Sequence, residues 1–340
     1  MKYLESLNKS LHLLFEEHSN VFLIGEDILD AYGGAFKVSK GLSSKYPDRV
    51  ITMPISEASI VGFGTGLAIQ GNLPIVEIMF GDFITLIADQ VINGAVKFNQ
   101  MYNNKVNIPL VIRTPMGGHR GYGPTHSQTL ETIFLNIPNL KIIAPSHFHN
   151  PGALLKSAVL NENNPVLFIE NKLLYPEELI NEENIDEVFE YEMSENMHNM
   201  DYPNIKIKIR DNSEADLLIV CYGGMSKIAY EVAKDVFLED EICSDILIPS
   251  IIKPLPIELV NDAIKNYKKI LIVEEAAKYS GWGAELLSQI HENLSEERII
   301  VKRIGAKNFV VPSSKILEEY ILPGNNEIKN ELIKLYNAGQ

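Results

Sequence analysis

One acid stands out by its setting. In RVITMPISEASIVGFGTGLAIQG (49–71) a short strand runs into Pro54, and a helix thick with small residues opens on Glu57. The helix dipole favours a carboxylate in a first turn, and Ser56 offers a capping hydroxyl, so an acid there needs no function of its own. Two later stretches change its weight. VEIMFGDFITLIADQVINGAVKF (76–98) reads as a strand, a turn at Gly81 and a helix. It sets Phe83 at the strand's C-terminal edge, where ligands meet parallel sheets. TPMGGHRGYGPTHSQT (114–129) is a glycine-rich loop after another strand, and it carries His119 and His126. Loops placed this way are more often functional than scaffolding, and histidine exchanges protons near neutral pH. No Cys, Asp or Glu joins the two histidines at metal-ligand spacing, so no metal site is assigned.

The glycines of GFGTG (62–66) do not make a dinucleotide fingerprint. That fingerprint needs its glycines in the turn directly after a strand, and here they fall inside the helix. Gly62, Gly64, Gly66 and Ala68 are expected to clear room for a second helix to approach.

These residues need strands to hold them. VFLIG (21–25), RVITM (49–53), LPIVEIM (73–79), IPLVIRT (108–114), LKIIAP (140–145) and PVLFIE (165–170) are short apolar runs. Helical patterns lie between most of them, among them 82–101 and 149–162. Strands apolar on both faces are those of a parallel sheet covered by helices. The expected fold class is therefore α/β, with a doubly wound, mostly parallel sheet over residues 1–175. Residues 176–213 are acidic, Asn-rich and poorly periodic, and read as a linker with a strand or two inside it. Alternation resumes from 214 to 340 as a second, smaller α/β domain.

Bulk properties narrow the function. The 340 residues carry a formal charge of −15 without a Lys/Arg cluster. Nucleic acid and anionic membranes are thereby disfavoured as partners, since both need a basic face. Cys221 and Cys243 sit in apolar runs with no CxxC spacing, as in a reducing compartment. The amphipathic start MKYLESLNKSLHLLFEEHS is no signal peptide, and no apolar run spans a bilayer, so a cytoplasmic location is expected.

Taken together, GEDI, PISEASIVGFGTGLAIQG, EIMFGDFITLIADQVIN, RTPMGG, HSQT, IIKPL and ILIVEEAAKYSGWGAEL resemble one family in order. It is the β subunit of the thiamin-diphosphate-dependent component of 2-oxo acid dehydrogenases, the pyruvate, branched-chain and acetoin types. The resemblance implies a pyrimidine-binding domain followed by a transketolase C-terminal-like domain. It implies that Glu57 hydrogen-bonds N1′ of the cofactor's aminopyrimidine and so promotes deprotonation of the thiazolium carbon. Phe83 then takes the place of the aromatic residue on the pyrimidine face, with Met79 beside it. His126 matches a histidine that faces the substrate and the lipoyl arm, and Glu26 lines the same cavity.

The family's diphosphate-binding GDG is missing, since FGDF (80–83) has no second glycine. The resemblance therefore implies a partner α subunit that carries GDG and most of the Mg²⁺ site, an α₂β₂ assembly and a lipoyl acyltransferase. The loop departs from the family by His119 and Arg120, and Arg120 or Arg113 is placed to hold a substrate carboxylate or phosphate. KSAVLNENNP (156–165) lacks the Asp of the family's potassium loop, and no metal is carried over. The alternatives are half of a split transketolase, an acyloin-forming transferase that moves a two-carbon unit to an aldehyde, and a non-catalytic β-like subunit.

Overall fold

The computed structural model describes residues 1–194, 201–211, 214–293 and 299–338. Its strands are β1 (Val21–Gly25), β2 (Val50–Thr52), β3 (Leu73–Glu77), β4 (Val111–Met116), β5 (Lys141–Ile143), β6 (Val166–Asn171), β7 (Phe189–Ser194), β8 (Asn204–Ile209), β9 (Leu217–Cys221), β10 (Ser244–Ile248), β11 (Ile251–Lys253), β12 (Lys269–Ala277) and β13 (Ile300–Ala306). The helices are α1 (Tyr3–Glu17), α2 (Leu42–Lys45), α3 (Glu57–Ile69), α4 (Val96–Met101), α5 (Pro151–Leu160), α6 (Met225–Asp240), α7 (Ile257–Ile264), α8 (Trp282–Asn293), α9 (Lys315–Ile321) and α10 (Asn325–Asn337).

Two sheets organise the chain. The first runs β11-β5-β6-β4-β3-β1-β2 and is parallel except at β11. Its central strands β4 and β6 are buried along their whole length, because helices cover both faces. One cover is α1, whose Tyr3, Leu7, Leu11 and Leu14 repeat at helical spacing and pack beside α5. The second sheet runs β13-β12-β9-β10-β8-β7. It is parallel through β10, and β8 and β7 then add antiparallel.

One feature follows the reading of the chain and two depart from it. The acidic stretch at 176–213 holds β7 and β8, which pair Glu190 with Lys208 and Glu192 with Lys206 across the hairpin. Strand β11 comes from the second half of the chain yet closes the first sheet against β5. The segment 82–101 is not one helix. A 3₁₀ turn (Gly81–Ile87), a π-helical turn (Gln90–Ala95) and α4 follow one another. Asp82 explains the first break. Its carboxylate accepts from the backbone N–H and the Nε2 of Gln128, which ties the turn to the histidine loop instead of to the helix. Wide π turns of this kind are frequent beside functional sites.

The two sheets meet through buried acids. Glu131 is fully buried and accepts a hydrogen bond from the Tyr222 hydroxyl of β9's far end, while its Oε2 has no partner. Burial, aided by the charges of Glu274 and Glu275 and opposed by the Tyr222 bond, holds its carboxyl at about 7. The folded state thus keeps a proton that the unfolded chain releases near 4.5. This contribution is complete below the unfolded value and is lost as pH rises through 7. Denaturant melts at about pH 5 and about pH 8 should differ in the wild type by up to roughly 3 kcal/mol more than in Glu131→Gln. Equal pH dependence in the two proteins would remove Glu131 as the cause.

Candidate active site at the strand ends

Glu26 follows β1 and Glu57 opens α3, and both are buried. They lie closely enough for the charge of Glu57 to act on Glu26. Burial first, and then the charge of Glu57, raise the Glu26 carboxyl above the usual carboxylate range, while the Ser56 backbone N–H bound to it works the other way. Glu26 Oε1 is buried without a partner, and no hydrogen bond among the described residues engages the Glu57 side chain. Ser56 stands at the N-cap position, but its hydroxyl meets Ser59 Oγ at 2.8 Å instead of capping the helix.

The neighbouring strand end carries aromatic rings. Because β1 pairs with β3, Met79, Phe80 and Phe83 leave the sheet beside Glu26. Met79 is half-buried. The His126 ring stands edge-on to Phe80 at 4.6 Å and to Phe83 at 5.4 Å between centroids. Its Nδ1 pairs with Thr125 Oγ1 at 2.9 Å, and its other nitrogen has no partner among the described residues. So the structure brings Phe83 and His126 into one aromatic cluster, and Glu26 and Glu57 into one carboxylate pair.

A second group, unmarked in the sequence reading, shapes the histidine loop. Lys172, just past β6, is fully buried and donates from Nζ to the His126 carbonyl. Burial lowers its ammonium to about 8, against the charges of Asp82 and Glu275. Glu275 of β12 accepts from the Gly118 N–H and from Asn171 Nδ2. Glu318 of α9 accepts from the backbone N–H groups of His119 and Gly121, each at 2.9 Å. The second sheet's side of the molecule thereby grips the loop that bears His126.

Two expectations are corrected. Arg113 holds no ligand anion. It is 2% exposed and lies inside β4, bonded to Glu170 at 2.7 and 2.9 Å and to Glu77 at 2.9 Å. Burial works against its charge, yet the two carboxylates lift its pKa above the ordinary value. Of the small residues of α3, Gly64 makes room for a strand and not for a second helix. A Cβ on Gly64 would meet Val76 of β3 at 2.7 Å, whereas Gly62 and Gly66 have nothing within 4 Å. Arg120, by contrast, is exposed at the cavity mouth beside Tyr122.

Two domain families match the chain. Residues 1–178 match the transketolase pyrimidine-binding domain, and residues 206–328 match the transketolase C-terminal domain. A pyruvate dehydrogenase E1 component subunit beta of Porphyra purpurea is 36% identical, over 96% of this chain and 93% of its own. The mitochondrial beta-2 subunit of rice is 32% identical over 95% and 83%. The β subunit of acetoin:2,6-dichlorophenolindophenol oxidoreductase from Cupriavidus necator is 30% identical over 98% and 97%. A split-gene transketolase, crystallised as an inactive β4 tetramer, superposes over the whole of both chains with a TM-score of 0.73 at 19% identity, which speaks to the fold alone. No helix among the described residues is long and apolar enough to cross a membrane. The chain belongs to the β-subunit family of thiamin-diphosphate-dependent 2-oxo acid dehydrogenases.

Proposed function

We propose that this chain forms the pyrimidine side of a heteromeric active site that oxidatively decarboxylates a 2-oxo acid and passes the acyl group to a lipoyl arm. The observation that carries it is the buried pair Glu26 and Glu57, with one orphaned oxygen, at the open end of a parallel sheet. That donor set fits an aminopyrimidine, which needs a buried carboxylate at its ring nitrogen and an aromatic face. Glu57 would hold the ring nitrogen, Phe83 the face, and Met79 and Glu26 the flanks. When bound, thiamin diphosphate supplies an acidic carbon that adds to the carbonyl of a 2-oxo acid.

The protein's own part is positioning and proton control. Water is kept from the Glu57 carboxylate by burial, which strengthens any hydrogen bond it makes. Glu26, whose carboxyl is raised by burial and by the charge of Glu57, stands beside it as the second carboxyl of the pair. His126 is fixed by Thr125 and by the Lys172 grip on its carbonyl, and its free nitrogen is the group that holds or hands over a proton at the substrate.

An α subunit with the diphosphate and Mg²⁺ site completes this reading. The outer face of α3 supports it. Gly62 and Gly66 are bare there, and Ile55, Phe63, Ile69 and Leu86 are exposed around them at 85%, 43%, 46% and 54%. An apolar patch of that kind beside a buried acid is a subunit surface, and we assign it to the α₂β₂ contact. The test is to isolate the complex from its cells and follow CO₂ release from 2-oxo acids on adding thiamin diphosphate, Mg²⁺ and an electron acceptor. Cofactor-dependent release by a complex holding a GDG-bearing subunit is expected. A chain that co-purifies with no thiamin-type subunit and releases no CO₂ overturns it.

A further inference from the structure

Beyond the carboxylate pair lies a second cavity, of about 620 Å³. Arg120, Tyr122, Lys172 and Lys227 line it beside the carboxylates of Glu177, Glu231 and Glu275, together with Gly224 at the start of α6. Lys227 is ion-paired with Glu177 at 2.7 Å. The other two cations are not paired. Among the described residues, Arg120 bonds only the Lys172 carbonyl, at 3.3 Å, and stacks over Tyr122 and Phe36. Lys172 Nζ bonds only the His126 carbonyl, which leaves two of its three donors unused.

The acids that face Lys172 are engaged elsewhere through most of their oxygens, and only Asp82 Oδ2 is buried without a partner among the described residues. One oxygen of Asp82 accepts from Gln128, Glu275 accepts from Gly118 and Asn171, and Glu318 accepts from His119 and Gly121. A chain with 45 acids and 30 bases has had ample means to pair two cations. A fully buried ammonium with donors to spare is costly unless an anion arrives. The N-terminal turn of the 16-residue α6 adds favourable potential for that anion.

The cavity also adjoins the reacting region. Phe80 links the two: its ring lies 4.6 Å from His126 on one side, and 5.4 Å from Lys172 Nζ and 6.4 Å from Tyr122 of the cavity lining on the other. We propose that Arg120 and Lys172 form a subsite for a compact oxyanion, a carboxylate or a phosphate, carried by the substrate or acceptor at the end remote from the reacting carbonyl. This deepens the functional reading and rests on it for the identity of the carrier. The chemistry expected of the carrier is a 2-oxo acid or aldehyde with a second, terminal negative charge.

Two measurements test it. In the first, the full chain is titrated with inorganic phosphate, and separately with a short dicarboxylate, at constant ionic strength balanced with chloride. Saturable heat is expected for at least one probe, weakened about tenfold in Arg120→Gln and restored in part by Arg120→Lys, as for loss of one charge-assisted bond. Arg120 is exposed, so this variant keeps the fold. Saturation by phosphate alone assigns a phosphorylated carrier, and saturation by the dicarboxylate alone assigns a carboxylate one. No saturable binding of either probe, or equal binding by Arg120→Gln, overturns the proposal.

In the second, the assembled enzyme is given a 2-oxo acid with a charged terminus and one with an apolar terminus. The ratio of their kcat/KM values should fall about tenfold in Arg120→Gln. An unchanged ratio overturns the subsite. If the chain binds the anion but the assembled enzyme turns over no 2-oxo acid at all, the functional reading fails and the subsite stands.

Discussion

Turnover of a 2-oxo acid by the assembled enzyme is expected to fall between about a hundredfold and ten-thousandfold in Glu57→Gln, the usual range for loss of a positioned proton-transfer group. The substitution keeps the shape and volume of the side chain. It removes only the charge and the capacity to accept at both oxygens. No hydrogen bond among the described residues depends on that side chain, so the fold has little to lose. The carboxylate pair adds a second readout. With the Glu57 charge gone, one of the causes that raise Glu26 disappears. Its carboxyl should then titrate lower, visible by NMR of the labelled side chain. Since Glu26 would remain partly relieved of repulsion, thermal stability near neutral pH should stay level or rise. Full turnover in Glu57→Gln would remove the residue from the chemistry. Lost turnover with an unshifted Glu26 would break the pairing of the two acids.

The second large effect is on stability. Arg113→Met is expected to lower unfolding stability by about 3–5 kcal/mol, because it strands two buried carboxylates. In a chain of this size that is a thermal shift of roughly 4–7 °C. Glu170 is wholly buried and holds its other bond from the Tyr175 hydroxyl at 2.7 Å, so it cannot turn to water. Burial already raises the Glu77 carboxyl, with the Arg113 charge opposing. Without that charge Glu77 should take up a proton more readily, so the deficit should shrink as pH falls. Replacing all three residues by apolar side chains of similar volume should recover most of the loss. A single Arg113→Met protein that melts with the wild type would show the triad to be dispensable.

The sheets were legible because their strands are. Runs such as VFLIG and PVLFIE are apolar at every position, which only a strand covered on both faces tolerates. The helix α3 and its first acid were equally plain. A strand or two inside 176–213 was also expected; what escaped was long-range pairing. Residues 189–194 and 204–209 alternate well enough, but their charges make sense only when Glu192 is set opposite Lys206. Strand β11 is three residues long and completes a sheet begun far upstream, which local pattern does not register. Arg113 drew attention as a possible anion holder because its two partners lie on other strands, Glu77 and Glu170. In the site, Lys172 had a signal that was not used: a charge directly after a buried parallel strand, where ligands gather. Glu318 had none, since it reaches the loop from 199 residues away.

The grip on the histidine loop has an evolutionary consequence. Glu275 and Glu318 hold it by its main chain, through the N–H groups of Gly118, His119 and Gly121. Main-chain anchors are indifferent to side-chain identity. Gly118 is fixed, since a Cβ there would meet Leu322 at 2.3 Å. Position 122 is released from any duty to hold the loop's path and Arg120 adds only one bond of 3.3 Å to the Lys172 carbonyl, while His119, at a φ of 63°, is confined to residues that tolerate the left-handed region. A lineage can therefore exchange the groups that read a substrate while the path that carries His126 stays where it is, and new specificities become reachable one substitution at a time.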